Sequence, residues 1–519
     1  MDIGSHSLLI LLAAYLLLYH ISLSIYRLYF HPLAKVPGPR LAAITSLWYA
    51  YQIKKSQLLL QSREFHAKYG PAVRIGPNEV QFDSKEAFQA IYGGTGYLQK
   101  SDFYYTFNQR PGQVDWLLRR RQPDDGKTGF TINGELNIQR HRSHRRNIGA
   151  TYLAASVRKY GARVDEALRS FVTKLRAPLR EKVEGSQTLD LAEWIHVAVV
   201  ECLGAVTLGQ DWSPGLIEAR DGLGHWDVSI AKWRQLSVLG ISSSTSSSSG
   251  ASDLNNRPGV DEKRPLPLPL PPPSDMLEEL LHLTIKKAEF KPDHAAGMAN
   301  LNFVAGRDTT TATITAALAL ICANPAIKAR VEAEVLSACA RGEGGSGIPD
   351  MEKCRYTQAC VKETLRVRPV SSLSMSRVVP SGTRKGGGTE LHLHGYNFAP
   401  GTVVGVNVAA MHLNPAVFGS DAAEFRPERW LREEGADDDV GDQADDAMMK
   451  TLEKTSLSWG AGAHVCPGRH LAELIIARLV PLLVSEFDVE IVEMPRIKDM
   501  RSFNYFAALS GVKARFRPR

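Results

Sequence analysis

The longest unbroken apolar run of the chain lies at its N-terminus. Between Ser7 and Tyr26 only His20 can carry charge, and at ~1.5 Å per residue a helix of that length spans roughly 30 Å, the thickness of a bilayer core. A cleaved leader would start with a basic stretch and carry a shorter core; Asp2 precedes a long run here, which points to a retained anchor. Arg27, Lys35 and Arg40 follow the run, and flanking basic residues hold what comes next on the cytoplasmic side. KVPGPR at 35–40 predicts a stiff, non-helical exit, because proline fixes its own φ and restricts the residue before it. The expected organisation is a lumenal terminus at 1–6, one transmembrane pass at 7–26, a basic, proline-rich hinge at 27–40 and a single body over 41–519.

Further along, helix-length apolar patterns dominate. The stretch 294–325 has the length of one long buried helix, closed at Asn324-Pro325, and 352–369 predicts a second that stops at Pro369. Short alternating runs at 389–398 and 401–410 predict strands. The fold class is therefore mainly α with a small β-sheet region. Two segments break the pattern. SSSTSSSSG at 242–250 and RPLPLPLPPP at 264–273 cannot bury enough apolar surface to order themselves; 242–273 is expected to be an insertion within one domain. The acidic stretch 432–446 predicts a solvated loop.

Composition narrows the function. The net charge of +7 is not gathered into basic blocks or basic–aromatic alternation, so no nucleic-acid partner is expected. The six cysteines are scattered and form no CxxC pair, which argues against a disulfide framework or a structural zinc site and for a reducing compartment. No dinucleotide or phosphate-loop fingerprint stands between a strand and a helix.

Four segments carry candidate chemistry. In AGRDTTT (305–311), Gly306 weakens a helix interior by about 1 kcal/mol relative to alanine, and Thr309 and Thr310 can bond back to the preceding turn. The segment suggests a local opening lined by Asp308 and Thr309, or a new helix capped by Asp308 after a break. Glu363 and Arg366 share a helix face three residues apart; by themselves they could be a surface ion pair. Arg429, in the rigid turn FRPERW (425–430), can bond a carboxylate and carbonyls together, or be an exposed turn arginine. In SWGAGAHVCPGRHLAEL (458–474), Cys466 could be a nucleophile served by His464 or His470, a zinc ligand, or a buried structural thiol. The flanking Gly460, Gly462 and Gly468 and the following helix favour a ligand-holding thiolate at a helix N-terminus.

Taken together, in this order and spacing, these segments resemble the haem-thiolate monooxygenases, the cytochrome P450 family, from about Pro37 to the C-terminus. The resemblance implies that fold behind one N-terminal transmembrane helix, with residues 41–519 as the haem-thiolate catalytic domain. Cys466 then stands in the place of the axial ligand to the iron of haem b, within a loop where Trp459, Gly460, His464 and Gly468 contact the cofactor. Arg145 in HRSHRR (141–146) and Arg377 in SRVVP match positions that bind the haem propionates. Asp308 and Thr309 match the proton-delivering acid and alcohol, and Glu363, Arg366 and Arg429 a structural ion-pair cluster. Trp459 replaces the usual phenylalanine. His464 replaces an arginine, which predicts a weaker contact that loosens as pH rises through the histidine pKa. Pro467 has no N–H to offer the sulfur, so Gly468 and Arg469 are expected to supply the main-chain donors.

The implied activity is insertion of one atom of O2 into a lipophilic small molecule, as in the oxidative tailoring of fungal secondary metabolism. Val304, Ala305, Thr309, residues 371–375, Tyr505 and Phe506 are the candidate pocket. A peroxide-rearranging isomerase or dehydratase and a non-catalytic haem-binding protein are the alternatives; the acid–alcohol pair disfavours both. No flavin-binding segment is legible, so electrons are expected from NADPH through a separate reductase, attracted in part by Arg145, Arg146 and Arg469. The expected location is the endoplasmic reticulum membrane, single-pass, with the catalytic domain cytoplasmic.

Overall fold

The computed structural model describes residues 3–55, 58–93, 98–104, 131–180, 188–209, 272–342, 348, 351–372, 374–381, 390–431, 452–495, 501–503 and 506–519. The expected insertion 242–273, except for its last two residues, lies outside them, as do the acidic stretch 432–446 and Tyr505.

A helix of 31 residues, Pro292–Cys322, runs through the molecule. Proline in the first turn costs it no hydrogen bond, and Asp293 sits where an acid complements the helix dipole. Gly306 does not break it, contrary to the opening or new start that its sequence suggests. Lacking a Cβ, Gly306 instead lets the packed helix Leu191–Thr207 approach: a Cβ there would lie 3.3 Å from both Leu203 methyls. Residues Thr310–Ala319 are buried without interruption, so the second half of the helix is a core element on every side. Its one buried amide is satisfied: Tyr152 donates to Asn302 Oδ1 at 2.8 Å, and Asn302 Nδ2 donates to Thr207 Oγ1 at 3.4 Å. Asn324 caps the next helix, Pro325–Ala340, from its side chain.

The β structure is small. Five strands run in the order Ala72–Gly76, Glu79–Phe82, Val403–Val406, Arg377–Val378 and Gln99–Lys100. Only the second and third pair parallel; in the last pair Lys100 stands opposite Arg377. A second sheet joins Thr188–Asp190, Lys513–Pro518 and Phe487–Glu493, and two short hairpins complete the set among the described residues. A large helical core and a smaller sheet-side core result. Leu457 belongs to the sheet side and Leu471 to the helical side, so the loop carrying Cys466 bridges the two.

At the N-terminus, Ile3–Ile25 is α-helical and continues as a π-helix over Tyr26–Phe30. Residues His6–Phe30 are long and apolar enough to cross a membrane and are not buried by the rest of the chain. The exit that follows differs from the expected hinge. Leu33 and Val36 are buried, and the buried Arg74 donates to the carbonyls of Arg27 (2.8 Å), Leu33 (3.4 Å) and Pro77 (2.7 Å). Its main-chain N–H bonds the Pro37 carbonyl at 2.7 Å. Gly38 permits this contact, since a Cβ there would fall 2.2 Å from the Arg74 carbonyl oxygen. One arginine thus collects the carbonyls of the exit, and the joint is packed.

Candidate active site

The cysteine loop is drawn into shape by its own backbone. The Cys466 N–H donates to the Trp459 carbonyl at 2.7 Å, and the His464 N–H to that of Ala461 at 3.2 Å. Gly460 takes a φ of 76°, and a Cβ there would meet the His464 carbonyl at 2.9 Å, so the turn requires glycine. The helix Arg469–Glu486 starts directly after the loop, with Gly468 at its N-cap. The Gly468 N–H donates to the Cys466 sulfur. That of Arg469 instead bonds the Cys466 carbonyl at 3.4 Å.

Cys466 is accessible, yet desolvation is the main influence on its thiol and pushes its pKa up; the Gly468 N–H, Arg145 and Arg469 oppose that rise. An accessible but desolvated sulfur faces a walled cleft. In front of Gly468 the space is open: a Cβ added there meets nothing within 4 Å.

One rim of the cleft is basic. Arg145, from the helix Ile138–Ile148, and Arg377 both act electrostatically on His464. So do two residues that sequence reading missed, Lys100 and His141. Lys100 is buried and donates from Nζ to the carbonyls of Ile132 (3.0 Å) and Asn133 (2.9 Å). Burial, with Arg377 beside it, pushes its pKa down to about 7. His141 lies against His464, the rings tilted by 38° with centroids 4.5 Å apart. Burial and then the surrounding cations hold His464 down at about 2 and His141 at about 3. Arg469 pairs with Glu473 at 2.7 Å and Arg145 is turned toward the cleft, so of the three arginines expected to attract a partner Arg146 is the one exposed without such an engagement among the described residues.

On the central helix, Thr309 Oγ1 donates to the Ala305 carbonyl at 2.6 Å and Thr313 Oγ1 to that of Thr309 at 2.9 Å. Asp308 is 59% exposed and held by its neighbour Arg307 through two bonds of 2.8 and 3.1 Å. Sequence reading missed this pairing. Val304 is 46% exposed in mid-helix.

Away from the cleft, Glu363 and Arg366 are both fully buried, with Nη2 of the arginine 2.6 Å from the carboxylate. All five N–H groups of Arg366 are used: Nε and Nη2 on Glu363, Nη2 also on the Glu424 carbonyl, and Nη1 on those of His412 and Ala422. Glu363 also accepts from Trp430 Nε1 at 2.8 Å and lies 3.5 Å from Arg429. Arg429 spends its remaining donors on the Phe418 carbonyl and on Asp421, whose carboxyl it holds below the usual range. His412, also missed from sequence, joins this cluster to the cysteine loop. Its Nε2 accepts from the Leu457 N–H at 3.0 Å, so Nδ1 carries the proton and donates to the Arg366 carbonyl at 3.1 Å. Ser458 adds a bond to the Leu365 carbonyl at 3.0 Å.

This donor set fits a haem. There is a cysteine sulfur with an N–H directed at it, open space beside the loop and cationic side chains on one rim for two carboxylates. Comparison with known proteins agrees. Residues 260–510 match the Cytochrome P450 family model. A cytochrome P450 monooxygenase, sdnT, of Sordaria araneosa is 34% identical, over 96% of this chain and 93% of that protein. A pisatin demethylase of Fusarium vanettenii is 27% identical, over 94% and 91% respectively. A zebrafish cytochrome P450 structure with progesterone superposes with a TM-score of 0.61 at 19% identity, covering 89% of this chain and 99% of that one. The chain belongs to the cytochrome P450 family and is a haem-iron monooxygenase supplied with electrons by a redox partner.

Proposed function

We propose that Cys466 is the axial ligand of haem b and that the enzyme oxidises a lipophilic small molecule of fungal secondary metabolism. The observation that carries the assignment is the accessible, desolvated Cys466 thiol with the Gly468 N–H on its sulfur. Arg145 and Arg377 would hold the propionates, joined by Trp459, Gly460, His464 and Gly468 around the ring. A thiolate-ligated haem supplies O–O bond cleavage and oxygen insertion. The chain's own residues supply the protons. Thr309, anchored by its own hydroxyl proton on Ala305, keeps lone pairs for a donor from the cleft. Asp308, exposed on the Arg307 guanidinium, exchanges protons with water. Glu363, Arg366 and Arg429 brace the loop and take no part in the chemistry.

Electrons would come from NADPH through a separate flavoprotein reductase. The apolar N-terminal helix supports a single-pass anchor in the endoplasmic reticulum with the catalytic body cytoplasmic. Support for a small-molecule substrate comes from the Fusarium vanettenii relative, which is named for the demethylation of pisatin. A reduced carbon-monoxide difference spectrum of the membrane-expressed protein beside Cys466→Ala tests the core of the reading. A strongly red-shifted Soret band, absent from the variant, is expected; an unchanged band in Cys466→Ala refutes it. In Thr309→Ala the band should persist while reductant consumption uncouples from product and hydrogen peroxide accumulates.

A further inference from the structure

We propose that Asn407 is a positioning residue for the cysteine loop, acting through the five-residue helix Val408–His412 that ends against that loop. The proposal rests on the reading of Cys466 as the axial ligand. It concerns how the leading end of the loop is held in place.

Asn407 follows the strand Val403–Val406 and is fully buried. Each of its polar atoms has a partner. The main-chain N–H donates to the Phe82 carbonyl at 2.7 Å, and its own carbonyl accepts from the Met411 N–H at 2.9 Å. Side-chain Oδ1 accepts from the Ala410 N–H at 3.0 Å, the bond of an N-cap. Nδ2 donates to Gln81 Oε1 at 3.1 Å, and Gln81 Nε2 donates in turn to the Tyr49 hydroxyl at 3.1 Å. Gln81 thereby fixes which way the Asn407 amide faces, so that its oxygen meets the helix.

A helix this short does not hold itself, because one turn of hydrogen bonds returns less than nucleation costs. It depends on its cap and on the burial of all five residues. Near its start, the Ala409 N–H donates to the Ser372 carbonyl at 3.2 Å, in the segment 371–375 expected to line the pocket. At its end, His412 Nε2 accepts from the Leu457 N–H at 3.0 Å, where the cysteine loop begins. The far side of that loop is fixed separately, by the helix Arg469–Glu486 in the helical core. The sulfur therefore lies between two independently anchored ends. The near end follows His412, and His412 follows Asn407.

A thiolate on a slack loop takes up a proton from solvent, and the reduced carbon-monoxide band then falls back to shorter wavelength. The test compares Asn407→Ser, which keeps a capping oxygen, with Asn407→Ala, which has none and leaves nearly the same space. Both are made in the full, membrane-expressed chain. The readouts are the share of the shorter-wavelength band and the rate of haem transfer to excess apomyoglobin. In Asn407→Ala that share is expected to rise about fivefold, the equivalent of a lost cap of about 1 kcal/mol, with faster haem transfer. Asn407→Ser should stay at the parent value. Val335→Ala, a core truncation in the helix Pro325–Ala340, should lower the urea midpoint and leave the band share unchanged. A parental band share in Asn407→Ala overturns the proposal. An equal rise in Asn407→Ser or Val335→Ala also overturns it, since packing alone would then account for the effect. If Asn407→Ala yields no haem protein, a parental band in Asn407→Ser supports the cap, and loss in both overturns it. A red-shifted band that persists in Cys466→Ala refutes the axial-ligand reading instead, so the two failures are distinct.

Discussion

Arg366 shows how much one residue can be asked to satisfy. A buried charge is tolerated only when its hydrogen-bonding capacity is met, and here five donors meet two carboxylate oxygens and three carbonyls. Lysine keeps the charge but has three donors on a flexible stem. Arg366→Lys is therefore expected to lose about 3–5 kcal/mol, the usual result of breaking a buried pair, read as a lowered urea midpoint and reduced haem content. A midpoint within error of the parent would contradict that assignment. The Glu363–Arg366 pairing was legible in the sequence because three-residue spacing places both on one helix face. Its fivefold saturation was not, since the carbonyls of His412, Ala422 and Glu424 lie 46 to 58 residues away along the chain. Lys100 was hidden for the same reason: it becomes a rim residue only when its strand pairs with that of Arg377. Arg307 lay next to Asp308 in plain view, but neighbours on a helix rarely face each other, and nothing in the pattern marked this pair.

At the scale of an element, the central helix separates what periodicity can reveal from what it cannot. Its length and its stop at Asn324-Pro325 follow from the apolar run and the proline. The role of Gly306 did not follow, because helix propensity prices only the missing side chain, whereas Leu203 of the partner helix occupies the space that side chain would take. Gly306→Leu should accordingly force the two helices apart and cost about 1–3 kcal/mol, as overpacked cores do. Thermal unfolding measures it. Gly306→Ala is the informative companion, since the propensity gain of about 1 kcal/mol is set against a contact a few tenths of an ångström too short. An unchanged melting temperature for Gly306→Leu would mean the helices do not meet there.

For the whole molecule, the buried imidazoles set the response to acid. Desolvation holds the His412 pKa at about 3 against an ordinary 6.5. The unfolded chain therefore binds a proton that the folded chain refuses, and stability falls as pH drops from about 6.5 toward 3. Above that window the contribution is complete and flat. A urea midpoint measured at pH 4 and at pH 6.5 should show the lower value in acid, and His412→Asn should flatten the difference; a midpoint independent of pH across this range would exclude the assignment. Protonation also removes the Nε2 acceptor for Leu457, so haem release is expected to accompany the acid transition.

The Arg74 clamp has a mechanical consequence. A body on a loose tether tumbles at its own rate, and its partner must wait for a favourable orientation. On the reading of residues 6–30 as an anchor, a body fastened through three backbone carbonyls of its exit, those of Arg27, Leu33 and Pro37, turns with that anchor, about the membrane normal and little else. With an electron donor proposed to share that membrane, their encounters would become a two-dimensional search at constant height, with only one angle left to match. Arg74, remote from any reacting atom, would thereby help to determine how often a collision can deliver an electron.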